Sequence, residues 1–173
     1  MKHLGINFSI KKHLKKNRVK RYSVTYNEAK KVCILFTAQG NEKFKAVNRF
    51  ISKFSSDGKD VDAIYFLSKD ADKPDVGLDE SMVQLNKRDV SFFGNIKNEK
   101  AGKKLLQEYD YFIHADTDTT VFTDLILAAC KAKCRIGAFH EEKGPFYDFM
   151  IKIDNEKNLQ DLLKEIYHYT KSI

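Results

Sequence analysis

The tightest constraint on this chain is a set of short, continuously apolar runs. Val32-Cys33-Ile34-Leu35-Phe36 contains no polar residue. A strand with one wet face alternates apolar and polar positions. A strand with no polar position must be covered on both faces, as in a parallel sheet sandwiched between helices. Further strands are predicted at "VDAIYFLS", at "YDYFIHA" from Tyr109 and at "CRIGAFH" from Cys134.

The segments between these runs carry helical spacing. "NEKFKAVNRFISKFSS" places Phe44, Val47, Phe50, Ile51 and Phe54 on one face, with Asn41 placed to cap the start and Asp57-Gly58 to end it. Helices are also predicted over "EKAGKKLLQEY", "TVFTDLILAACKAK" and "NLQDLLKEIYHYTKSI". The last carries Leu159, Leu162, Leu163, Ile166 and Tyr167 on its apolar face, with Asp154 or Asn155 as its cap. "FYDFMIKID" predicts a sixth, edge strand with Phe149, Ile151 and Ile153 on one side. Residues 69–81 are polar and read as a long surface loop; "MVQLNKRDVSFFGN" reads as one strand or two short ones, with Val90 to Phe93 the core of that reading. Strands alternating with helices predict an α/β class. The expected architecture is a three-layer Rossmann-like or flavodoxin-like sandwich, with a mostly parallel sheet of five to six strands and right-handed crossovers.

Charge is segregated along the chain. The net charge is +7 over 173 residues, but residues 1–31 hold ten Lys or Arg against Glu28 alone, a balance of +9. The other 142 residues hold 21 bases and 23 acids, a balance of −2. The organisation this predicts is a basic N-terminal arm or helix over residues 1–30 and a single α/β domain over 31–173. Over residues 4–22, Ile6, Ile10 and Leu14 lie four apart with Val19 and Tyr22 beyond, a narrow stripe on a basic helix. "SVTY" after it reads as a short extended piece. Lys11, Lys12, Lys15, Lys16, Arg18, Lys20 and Arg21 are the candidates for contact with nucleic acid or another anionic surface, where Tyr22 and Phe8 would stack on bases. The segment matches no named nucleic-acid motif, and a solvated helix face is the plainer alternative.

No apolar run approaches the roughly 20 residues a membrane helix needs, and no signal-peptide stretch follows the basic start. Three cysteines without Cys-x-x-Cys spacing read as reduced thiols in a cytoplasmic protein and not as zinc ligands.

In such sheets ligands sit beyond the carboxyl ends of the strands, where strand order reverses. Two strand tips are candidates. Thr37-Ala38-Gln39-Gly40-Asn41 lacks both the dinucleotide glycine fingerprint and the phosphate loop with its lysine, yet a helix N-terminus there offers free amides. His114-Ala115-Asp116-Thr117-Asp118-Thr119-Thr120 carries two carboxylates two apart, a pattern that holds a divalent ion between protein and phosphates. Helix capping explains the same Thr and Asp residues. Gln39, Asn41, His114, Asp116 and Asp118 are thus the ligand-binding candidates. No nucleophile elbow is present, Cys130 and Cys134 read as buried apolar residues, and "HEEKGPFYD" reads as a solvated turn. The reading assigns no catalytic residue, no metal and no cofactor.

The stretch "YDYFIHADTDTTVFTDLILAACKAKCRIGAFHEE", with the following "FYDFMI" and closing helix, resembles a family of short, uncharacterised bacterial α/β proteins. That resemblance spans most of the chain and implies a lone α/β domain. The same stretch is similar to the N-terminal Rossmann-like half of heptosyltransferase-type glycosyltransferases, through the Tyr-Asp strand opening and Arg135-Ile136-Gly137. The chain lacks that family's glycine-rich start after the first strand and a second domain, so this second resemblance implies the fold alone. The leading expectation is a non-catalytic binding or adaptor module. The alternative is an enzyme or sensor for a phosphorylated or nucleotide-linked small molecule, with Asp116 and Asp118 on a divalent ion.

Overall fold

The computed structural model describes residues 2–16, 20–22, 24–75, 80–154 and 158–173. Among them six strands form one sheet: β1 (Lys31–Ala38), β2 (Asp60–Leu67), β3 (Met82–Asn86), β4 (Glu108–His114), β5 (Lys131–Ala138) and β6 (Phe149–Ile151). Their order is β3-β2-β1-β4-β5-β6, and every neighbouring pair is parallel. Five α-helices flank the sheet: α1 (Lys2–Lys16), α2 (Gly40–Ser56), α3 (Glu99–Leu106), α4 (Val121–Ala129) and α5 (Leu159–Lys171). This is the Rossmann-like three-layer arrangement that the apolar runs predict.

The strand order grows outward in both directions from β1 and β4. Right-handed crossovers in opposite directions put the intervening helices on opposite faces. Accordingly the core is two apolar layers. Val32, Ile34, Phe36 and Tyr65 face one side, with Phe44 and Phe54 of α2 and Leu162 and Ile166 of α5. Cys33, Leu35, Phe66 and Phe112 face the other, with Ile6 and Ile10 of α1, Leu105 of α3 and Leu125 of α4. Burial of β1 on both faces is the physical content of its uninterrupted apolar run.

Several boundaries differ from the periodicity reading. Helix α1 ends at Lys16, whereas the stripe predicts continuation to Tyr22; Val19 lies outside the described residues. No strand forms at Val24 to Tyr26; both ends of that stretch are buried and a turn follows. Helix α3 ends at Leu106, and Glu108 and Tyr109 open β4. β5 begins at Lys131 and not at Cys134. Lys131-Ala132-Lys133-Cys134 alternates with period two, a strand signal masked by the helix-forming character of Ala and Lys. Val90 to Phe93 is not a strand: Val90 makes one antiparallel bridge to Ile96, and β3 is Met82–Asn86. The backbone N–H of Gly94 donates to the Ser91 carbonyl at 3.1 Å, so Phe92 and Phe93 are the two central residues of a tight turn. Helix α5 is capped by Asn158, whose side chain accepts the Asp161 N–H; Asn155 lies outside the described residues.

Candidate functional site at the carboxyl edge of the sheet

The strand order reverses between β1 and β4, so the crevice at their carboxyl ends is where a ligand site belongs in this fold. Three loops meet there. Gly40, with φ +78°, takes the left-handed conformation that lets the chain leave β1 and enter α2 at once. Thr120 and Thr123 form a reciprocal capping box at the start of α4, with bonds of 3.1 and 2.8 Å, as the run of threonines predicts. Gly137 on β5 lets the Tyr147 ring lie flat against the strand: a Cβ there would meet the ring at 2.5 Å.

Asp116 does not cap α4. It is buried and reaches back to the β1 tip, where its Oδ2 accepts the Thr37 N–H at 2.7 Å. Its Oδ1 is 2.5 Å from Nζ of Lys43 on α2, and its Oδ2 is 3.3 Å from Nε2 of His114. His114 is fully buried at the end of β4 and points to the α4 side, with Nδ1 2.8 Å from the Tyr147 hydroxyl and the two rings nearly parallel. Burial pushes the Tyr147 phenol far up, and the charges of Asp124 and Asp116 add to this, so the hydroxyl keeps its proton. The hydroxyl and Nδ1 share one hydrogen bond, and Nε2 of His114 lies on the Asp116 side. Burial pushes the Asp116 carboxyl up, but the hydrogen bond and charge of His114 and the charge of Lys43 more than reverse this and hold it below the usual carboxylate range. Asp124 stands at the far end of the group, 2.6 Å from Lys143 Nζ. The result is a closed polar chain, Lys43–Asp116–His114–Tyr147, under the carboxyl edge.

The remaining candidates lie elsewhere. Gln39 flanks the start of α2 without a side-chain cap, and its Oε1 accepts from Lys43 at 3.3 Å. Asn41 is not a cap either, because α2 begins one residue earlier; its side chain donates to Asp75 Oδ2 and accepts the Asp75 N–H, both at 3.0 Å, and so pins the β2–β3 loop. Asp118 is exposed and lines, with Thr117, His140 and Lys152, a cleft of about 100 Å³. Small-molecule sites enclose roughly 300–1,000 Å³, so the cleft suits an ion or a few waters and not a nucleotide. Asp116 and Asp118 thus face different surroundings, and both Asp116 oxygens already have partners. Among the described residues no three His, Cys, Asp or Glu side chains are grouped as metal ligands would be.

Lys43 and Tyr147 are the members of this chain that sequence reasoning missed. Lys43 sits among the charged residues of a helix surface, and Tyr147 follows a Gly-Pro turn; neither position carries a local signal, since each partner is more than 30 residues away.

The basic candidates divide in two. Lys11, Lys12, Lys15, Lys16 and Lys20 are exposed. Arg18 lies outside the described residues. Arg21 is committed to the body: its Nε lies 2.8 Å from Asp148 and its Nη1 donates to the Pro145 carbonyl at 3.4 Å. Helix α1 packs on the body through Ile6 and Ile10.

A family model described as a family of unknown function matches residues 2–173. No curated protein and no solved structure matches the chain.

Proposed function

The chain belongs to that family, DUF6913, and from this premise we propose that it is a non-catalytic α/β binding module that docks on an anionic surface through α1. One observation carries the reading: the way its positive charge is distributed. On the body, Lys43, Lys104, Lys133, Lys143 and Lys171 are each paired to a carboxylate. Among the described residues, Lys11, Lys12, Lys15 and Lys16 have no such partner, and α1 carries no acid at all. His13 registers the resulting field: burial lowers its imidazole pKa first, and the charges of Lys12 and Lys16 lower it further. An uncompensated row of ammonium groups on one helix attracts polyanions and steers their approach.

The carboxyl edge supports the non-catalytic half of the reading. Its buried carboxylate is consumed in joining β1, α2 and β4, which is a scaffold role. Three thiols that are all buried and unbridged fit a reducing, cytoplasmic setting.

The test is retention on a heparin column. Lys11→Gln, Lys12→Gln and Lys15→Gln combined should elute at clearly lower salt than the parent protein. Exchanging Lys45, Lys103 and Lys164 for Gln removes the same charge from elsewhere and should shift elution much less. Equal shifts for the two triple variants would reduce the effect to net charge and defeat the proposal.

A further inference from the structure

Helix α1 is apolar on two sides. Ile6 and Ile10 enter the core, while Leu4 and Phe8, one helical turn apart on the opposite side, are 74% and 73% exposed. The Ser91–Gly94 turn lies against the same helix. Phe92 and Phe93 at its tip are 47% and 71% exposed and meet edge to face at 5.3 Å. Glycines at both contacts permit that approach: a Cβ on Gly5 would meet the Phe92 carbonyl oxygen at 2.3 Å, and one on Gly94 would meet Ser9 Cβ at 2.7 Å. Three phenylalanines and a leucine are therefore exposed on two segments whose backbones are in close contact. Lys11, Lys12 and Lys15 flank them on the outer face of α1, and Lys87, Arg88 and Lys97 are exposed around the turn.

Exposed apolar groups of this size on a soluble-looking fold mark a contact surface. The surrounding charge identifies its chemistry. We infer that this surface inserts into the interface of a bilayer containing anionic lipids, with Leu4, Phe8, Phe92 and Phe93 among the acyl chains and the α1 lysines on the headgroups. The inference rests on the anionic-surface reading above and names its partner. Interfacial helices combine an apolar face with a lysine-rich flank in this way, and lysines near anionic headgroups add to the binding. A single-stranded nucleic acid would instead need ring faces lined up as stacking platforms along a groove. Leu4 offers no such face, and the Phe92–Phe93 pair is perpendicular, at 87°.

The chain contains no tryptophan, so Phe93→Trp introduces a single fluorescent reporter at the turn tip. It should shift to the blue with vesicles of phosphatidylglycerol and phosphatidylcholine, and not with phosphatidylcholine alone. In sedimentation with the mixed vesicles, Phe8→Ser and Phe93→Ser should each weaken partitioning about tenfold. Lys11→Gln and Lys15→Gln should each weaken it about fivefold at low salt. All four side chains are exposed, so melting temperatures should stay within a few degrees of the parent and certify folding. Vesicle binding that ignores both Phe substitutions while depending on the lysines overturns insertion and leaves anionic docking standing. Phe-dependent binding of a single-stranded oligonucleotide without vesicle binding overturns the lipid assignment. Absence of binding to vesicles and oligonucleotide alike removes both readings.

Discussion

Asp116→Asn is the sharpest probe of how the carboxyl edge is held together. The carboxylate accepts the Thr37 N–H at 2.7 Å and pairs with Lys43 at 2.5 Å, and their side chains are 4% and 13% exposed. Asparagine that keeps its oxygen for Thr37 turns its amide N–H groups, donors only, toward a sheltered ammonium. Removing one partner of a buried pair costs about 3–5 kcal/mol. Lys43 has a flexible stem and some access to water, so the low end, about 3 kcal/mol, applies. For a chain of this size that is a fall of roughly 6–12 °C in melting temperature. Urea denaturation followed by circular dichroism should show the midpoint lowered with the slope unchanged. Adding Lys43→Met to the variant should restore part of the loss, because it removes the orphaned charge. The pH dependence fixes the origin. The folded Asp116 carboxyl lies below its unfolded value, so its contribution is present above pH of about 4 and is lost as pH falls through the folded pKa. Parent and variant should therefore converge in strong acid. A neutral-pH change under about 1 kcal/mol, or a gap that persists in strong acid, would refute the clamp.

Three further outcomes follow from the same structure. Ile6→Ala should cost about 2–5 kcal/mol in a thermal or urea melt, because the side chain is fully buried; a near-silent substitution would mean that α1 is not part of the core. The native protein should leave a thiol reagent unreacted until denaturant is added. Burial pushes Cys33 well up, Cys130 up to about 11 and Cys134 up to about 12, so little thiolate exists at neutral pH; rapid labelling of any thiol in the folded chain would contradict this. Stability should fall as pH drops below about 4. Asp57 is held low by Tyr167 and Tyr26; Asp110, raised by burial, is brought below its usual range by Lys133 and the Lys30 and Lys31 N–H groups; Asp116 joins them. Acid titration of the far-ultraviolet signal measures this, and a fold indifferent to pH 2–5 would oppose it.

The two candidate regions were unequally legible. Thr120 is a cap, as its place before an apolar helix indicates, because capping is a local bond three residues long. Asp116, four residues earlier, has the same local appearance and a different fate, since Thr37 lies 79 positions away in sequence and only the β1–β4 pairing brings it near. The Phe92-Phe93 pair reads as a buried strand by composition. It is exposed because Gly94, at φ +76°, turns the chain and the antiparallel bridge at Val90 sends it straight back.

What the sequence determined by itself is whatever depends on near neighbours. Uninterrupted apolar strands, helical spacing between them and a cluster of unopposed lysines at one end are enough for a parallel sheet with helices on both faces. The tertiary structure alone decided which polar groups are used up and which are left free. Burial turns Asp116 and His114 inward beside Lys43 and Tyr147, and the packing of α1 on the core leaves Leu4 and Phe8 outside beside Phe92 and Phe93. The physical reason is that desolvation and contact depend on distance in space, which chain separation does not encode until the crossovers close.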